Sequence, residues 1–121
     1  MNAATFRRIA LALPDTTEVP HMERAAFRTP RRIFATLAAN GATANLRLEL
    51  AEQDALVHAH PEAFQPVSGG WGEQGWTVAT LAALAVEEAS AVLADAHAHA
   101  QVLAKPARSK RAPRAKKKPA R

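Results

Sequence analysis

Nine consecutive residues, Gly69-Gly70-Trp71-Gly72-Glu73-Gln74-Gly75-Trp76-Thr77, hold both tryptophans and four of the five glycines of this chain. Tryptophan presents the largest apolar surface of any side chain, and its ring N–H requires a partner when buried. Glycine lets other groups approach the backbone closely and permits a positive φ. Two tryptophans five positions apart, each preceded by glycine, predict a tight loop of defined shape closed by aromatic packing. A flexible linker would carry neither ring.

The rest of the chain divides by pattern. Phe6, Ile9, Ala10 and Leu13 recur at helical spacing, and Pro14 stops the helix. Ala26-Phe27-Arg28-Thr29 and Ile33-Phe34-Ala35-Thr36-Leu37 read as strands around a Pro30-Arg31-Arg32 turn, and Asn40-Gly41 signals a two-residue hairpin. Asn45-Leu46-Arg47-Leu48-Glu49-Leu50 alternates with period two, a half-buried strand with its leucines inward. A helix over residues 51–60 ends at Pro61, although no good N-cap precedes it. Strands over 64–67 and 76–81 flank the glycine loop. Val86, Ala89, Leu93, Ala96, Ala100 and Leu103 mark a long final helix ended by Pro106. The order α-β-β-β-α-β-β-α predicts an α+β domain over residues 1–104, an antiparallel sheet with helices on one face.

Charge is segregated along the chain. Residues 1–48 carry seven arginines against Asp15, Glu18 and Glu23; residues 49–104 carry eight acids and no lysine or arginine. Residues 105–121 carry nine basic groups and no acid: Lys105, Arg108, Lys110, Arg111, Arg114, Lys116, Lys117, Lys118 and Arg121. That segment has no apolar side chain larger than alanine or proline, so it is expected to be a disordered tail. Its basic groups can follow phosphates by counterion release, adding affinity without sequence choice. The plain alternative is a solubilising tail. A third expectation is that it folds back in cis onto the acidic half.

Several chemistries are excluded or weakened. With no cysteine, disulfides, thiolate metal ligands and thiol nucleophiles are absent. His58/His60 and His97/His99 are spaced i, i+2, about 200° apart on a helix, so neither pair chelates from one face. No metal or other cofactor is expected. Gly70-x-Gly72-x-x-Gly75 matches a dinucleotide fingerprint in form, but Gly75 leads into the β-forming Trp76-Thr77-Val78 instead of opening a helix. No nucleophile elbow or triad order appears, so a non-enzymatic protein is expected. The first residues lack a signal-peptide run and no stretch approaches membrane-spanning length, which gives the expectation of a cytoplasmic protein.

The segments Phe6-Arg7-Arg8-Ile9-Ala10 to Leu13-Pro14, Glu18 to His21 ahead of Phe27-Arg28, and Ile33 to Leu37 form a recognisable series. Asn45 to Leu48, Pro61-Glu62-Ala63-Phe64 and, above all, Trp71-Gly72-Glu73-Gln74-Gly75-Trp76-Thr77 extend it. Over residues 5–104 the chain resembles the MmcQ/YjbR family of small bacterial proteins. The resemblance implies a CyaY-like fold, described for that family as a double-wing DNA-binding motif. It departs from the family in carrying Arg32 where a lysine is usual before the Ile-Phe strand. It also lacks the Ser/Thr-Pro cap after Leu48.

Two functional expectations follow. Arg28 and Arg47 alternate out of phase with Phe27, Leu46 and Leu48, so they can share the open sheet face, with Arg24 nearby and Arg31 and Arg32 at the hairpin tip. A basic ribbon of that size suits a DNA groove, and ordinary solubilising edge charge is the plain reading. DNA, met mainly through its phosphates by a monomer of weak sequence preference, is the first expected partner. The second expectation is a small planar ligand in a cleft beside Trp71, Glu73 and Trp76. There Trp71 is the ring placed for exposure and Trp76 the ring placed for the core. Glu73 would either be desolvated or accept backbone N–H bonds of the loop.

Overall fold

The structure, a computed structural model, describes residues 1–103. Helix α1 (Ala3–Leu11) begins where Asn2 Oδ1 accepts from the Thr5 N–H at 2.9 Å, an N-cap that satisfies one free amide of the first turn. Strands β1 (Thr17–His21), β2 (Arg24–Arg28), β3 (Ile33–Leu37) and β4 (Thr43–Arg47) follow as an antiparallel meander. Helix α2 (Leu50–Ala59), β5 (Phe64–Pro66), the single turn α3 (Gly70–Glu73), β6 (Trp76–Thr80), a 3₁₀ turn and the long helix α4 (Val86–Leu103) complete the chain. The six strands form one sheet in the order β1-β2-β3-β4-β6-β5, with every described pairing antiparallel.

The α+β architecture is as expected, with a strand, a single helical turn and the 3₁₀ turn added. β1 escaped the strand patterns because four of its five residues are exposed and Pro20 interrupts it. Proline is tolerated there because β1 is an edge strand that pairs only with β2. The opposite edge, β5, ends in Pro66. Both exposed edges therefore carry a residue without an amide donor, which discourages strand addition. The second addition is α3, which coils inside the segment read as a glycine loop.

Two boundaries also moved. The expected strand through Leu50 ends at Arg47, and Leu50 opens α2 with 56% of its surface exposed. Leu46 and Leu48 do point inward. The Asn40-Gly41 turn is wider than a two-residue hairpin: Ala38 N bonds Thr43 O, Gly41 N bonds Ala38 O, and Asn40 Oδ1 accepts from Ala42 N.

The core lies between one sheet face and the helices. Phe6 and Ala10 of α1 and Leu93, Ala96 and Ala100 of α4 join Phe27, Phe34, Leu37, Ala44, Leu46 and Phe64 in a single buried cluster. Phe6 meets Phe27 edge to face with centroids 5.8 Å apart. The alanines of α4 leave room for the helix to approach β3 and β4, and fully burying each large ring is worth roughly 2–3 kcal/mol. Among the histidines, His97 is drawn into this core. It is buried in α4, its Nε2 lies 2.8 Å from the Pro14 carbonyl, and its ring meets Phe34 edge to face.

Candidate functional site

Residues directly opposite across strand pairs project to the same side of a sheet. Phe27, Ala35, Leu46 and Thr77 form one such row, on the helix-covered side. Ala26, Thr36, Asn45 and Val78 form the next row, on the other side. Arg24 and Arg28 flank Ala26 on β2, and Arg47 follows two residues after Asn45 on β4. The alternation therefore sets Arg24, Arg28 and Arg47 on the side without helices, and Trp76 stands across from Arg47. Arg31 and Arg32 lie in the turn between β2 and β3, as expected.

Each arginine is held differently. Arg24 Nε donates to Thr36 Oγ1 at 2.8 Å, and burial of the guanidinium lowers its pKa. Arg28 folds over its own hairpin, with Nε 3.1 Å from Thr29 O and Nη2 3.4 Å from Pro30 O. Thr29, buried at the base of the turn, accepts from Arg31 N and Arg32 N through Oγ1 and so fixes where those side chains emerge. Arg47 Nε donates to Gln74 O at 3.3 Å. Its pKa is lowered first by burial and then by the positive charge of Arg32. Arg32 and Arg47 thus repel one another. Arg24, Arg28, Arg32 and Arg47 have no carboxylate partner among the described residues. Arg7 instead pairs with Glu18 at 2.9 Å.

The glycine-tryptophan segment forms the adjoining corner. A Cβ on Gly72 would overlap the Val67 carbonyl, and one on Gly75, at φ +102°, would overlap the Leu48 carbonyl. Both glycines are required by this close backbone packing. The corner is cross-braced by Gln53 of α2, whose Nε2 lies 3.1 Å from each of Gly72 O, Trp76 O and Thr77 Oγ1. Sequence reasoning missed Gln53. Its signal was a polar residue spaced three and four positions before Leu56 and Val57, on the apolar stripe of α2.

The two rings part company. Trp71 is 63% exposed, so it does not close the loop. Trp76 is half-buried and its Nε1 is covered without a hydrogen-bond partner. Glu73 is exposed, and its carboxylate forms no hydrogen bond or ion pair among the described residues.

Among the described residues, two clefts in the surface are lined by other residues than Trp71, Glu73 or Trp76. One, of about 470 Å³, runs along Glu18, Val19, Pro20, Arg24 and Ala25. The other, of about 500 Å³, lies between α2 and α4 over Glu49, Glu52, Asp95, Ala98, His99 and Val102. Burial pushes the Glu52 carboxyl up to about 8, reinforced by its hydrogen bond with Asp95 and by the charges of Asp95 and Glu49. Burial lowers the His99 pKa against the pull of Glu49, helped by Arg47 and Arg32. His60, at the end of α2, sits between two carboxylates, with Nδ1 2.9 Å from Glu88 and Nε2 2.9 Å from Glu62. Among the described residues no group of three or more histidine and carboxylate side chains is placed to hold a metal ion. No helix of the described residues is long and apolar enough to cross a membrane. The tail contacts expected from Lys105, Arg108, Lys110, Arg111, Arg114, Lys116, Lys117, Lys118 and Arg121 lie outside the described residues.

No curated protein matches the chain. The crystal structure of Deinococcus radiodurans protein DR2400, described as a DUF419 domain, is similar with a TM-score of 0.64 at 20% sequence identity. The similarity covers 74% of this chain and 71% of that one, and at this identity it speaks for the fold. The sequence model of the YjbR family matches residues 11–99. With the family model matched over most of its length, this chain belongs to the YjbR family.

Proposed function

We propose that this protein binds DNA through the phosphate backbone, without catalysing a reaction and with little sequence preference. The observation that carries this reading is the register. It gathers Arg24, Arg28 and Arg47 on the helix-free sheet face, with Arg32 close enough to Arg47 to depress its pKa. Cations left near one another without carboxylates gain from a shared anion, and charge-assisted bonds from guanidinium to phosphate are the strongest available to them. The nine basic groups of residues 105–121 add sequence-independent attraction in this reading. Arg24 and Arg28 are tied to Thr36 and to the hairpin carbonyls, so they position the strand more than they search for bases.

A mobility-shift series with a short duplex tests the reading. The apparent affinity is expected to fall steeply as salt rises, and similarly for unrelated sequences. Absence of binding at low salt to duplex and single-stranded DNA alike would end it.

A further inference from the structure

Resting on that reading, we propose that Trp71 is a stacking platform for an unpaired base, so that the protein holds single-stranded DNA in preference to duplex. The geometry that carries this is an exposed indole on a rigid turn whose closing residue, Gln74, also accepts a hydrogen bond from Arg47. Trp71 stands on α3 with 63% of its surface in solvent. The turn beneath it is immobilised on three sides. Gly72 abuts the Val67 carbonyl, Gly75 abuts the Leu48 carbonyl, and Gln53 Nε2 bonds the Gly72 carbonyl. A ring mounted this way loses little freedom on binding.

A positive charge is tied to the same turn through Gln74, three positions on from Trp71. Gln74 N donates to Trp71 O at 3.1 Å, and Gln74 O accepts from Arg47 Nε at 3.3 Å. The same short peptide therefore links the indole turn to the guanidinium that Arg32 crowds. A base on Trp71 and its neighbouring phosphate at Arg47 and Arg32 is the arrangement single-strand binders use, a stacking surface beside a positive track. Glu73 is two positions further round the turn, about 200° away, and is itself exposed. Trp76 cannot take this role, because its Nε1 is covered and its ring half-buried. In a duplex each base is already stacked within the helix, so the indole gains nothing there.

The test uses the full chain, a labelled thymidine oligonucleotide and a duplex of equal length, followed by anisotropy and tryptophan emission over a salt series. Stacking is worth about 1–3 kcal/mol per base, so Trp71→Ala is expected to weaken single-strand binding roughly 5- to 150-fold. Duplex affinity should stay unchanged, and the single-strand loss should persist at high salt because stacking is not screened. Trp71→Phe keeps a stacking ring and should restore most of the affinity. Its strand-dependent emission quenching should vanish, since only Trp76 remains to emit. Equal losses for both DNA forms, no loss at all, or quenching that survives in Trp71→Phe overturns the stacking role while leaving phosphate binding intact. A wild-type protein that binds neither form overturns the DNA reading together with this inference.

Discussion

Arg47 on β4 stands directly across from Trp76 on β6, so a guanidinium and an indole share the sheet face opposite the one that α1, α2 and α4 cover. The register places them there, and the hydrogen bond from Arg47 to the Gln74 carbonyl holds the cation at the corner built by the glycines. On the other face of the same strand, Leu46 is buried in the core opposite Thr77. One period-two alternation thus produces both the hydrophobic layer and the charged one.

Removal of residues 105–121 is expected to abolish most duplex affinity at moderate salt. If all nine basic groups contacted duplex phosphate, their share of the slope of log K against log salt would reach at most roughly −8. Binding measured on the truncated chain should be weak and still dependent on the sheet arginines. Unchanged affinity would place the whole contact on those arginines.

Gln53 is expected to be a stability determinant. Gln53→Ala removes one donor shared by Gly72 O, Trp76 O and Thr77 Oγ1, a loss of about 1–3 kcal/mol. Gln53→Glu should be worse at neutral pH, because a carboxylate would face two carbonyls with no proton to give, and should recover partly on acidification. Urea unfolding of both variants at two pH values checks the order.

Gly75→Ala is expected to destabilise the fold by more than roughly 1–3 kcal/mol. The new methyl would carry a left-handed backbone penalty of that size and also meet the Leu48 carbonyl, whose own amide donates to Gly75 O. Gly69→Ala, also at positive φ (+73°) but with open space around its Cβ position, should show a backbone penalty alone. The difference between the two midpoints isolates the steric contribution.

Stability is expected to fall as pH rises from about 4.5 to about 8. In that window the folded chain keeps a proton on Glu52 that the unfolded chain has released, so the slope of unfolding free energy against pH is negative. His60 acts in the same direction. Its raised pKa, caused first by the bond to Glu88, gives stability that is complete below the ordinary value of 6.5 and lost as pH rises through the folded value. Glu52→Gln and His60→Gln should each flatten the curve measured by denaturant unfolding between about pH 5 and 9.

Much of this architecture was legible in the sequence because simple periods carry it. Leu46 and Leu48 announced a one-sided strand, Phe6 and Ala10 an inward helical face, and the phase of Arg28 and Arg47 placed both on the open side. What stayed hidden depends on contacts between distant segments. β1 buries none of its residues, so hydrophobic patterning has nothing to detect. Leu50 continues the strand alternation yet begins a helix, since local pattern cannot report where the sheet stops needing a partner. Gln53, His60 and His97 owe their roles to the Trp76 carbonyl, the Glu88 carboxylate and the Pro14 carbonyl, which only the folded chain brings near.

The most direct test is the salt dependence of duplex binding by the full chain against a variant carrying Arg24→Gln, Arg28→Gln, Arg32→Gln and Arg47→Gln. Each lost phosphate contact should reduce the slope by about 1, so the variant should bind more weakly and its slope should fall by roughly two to four. An unchanged slope and affinity, with the variant folded, would contradict the assignment of the helix-free face as the DNA-binding surface.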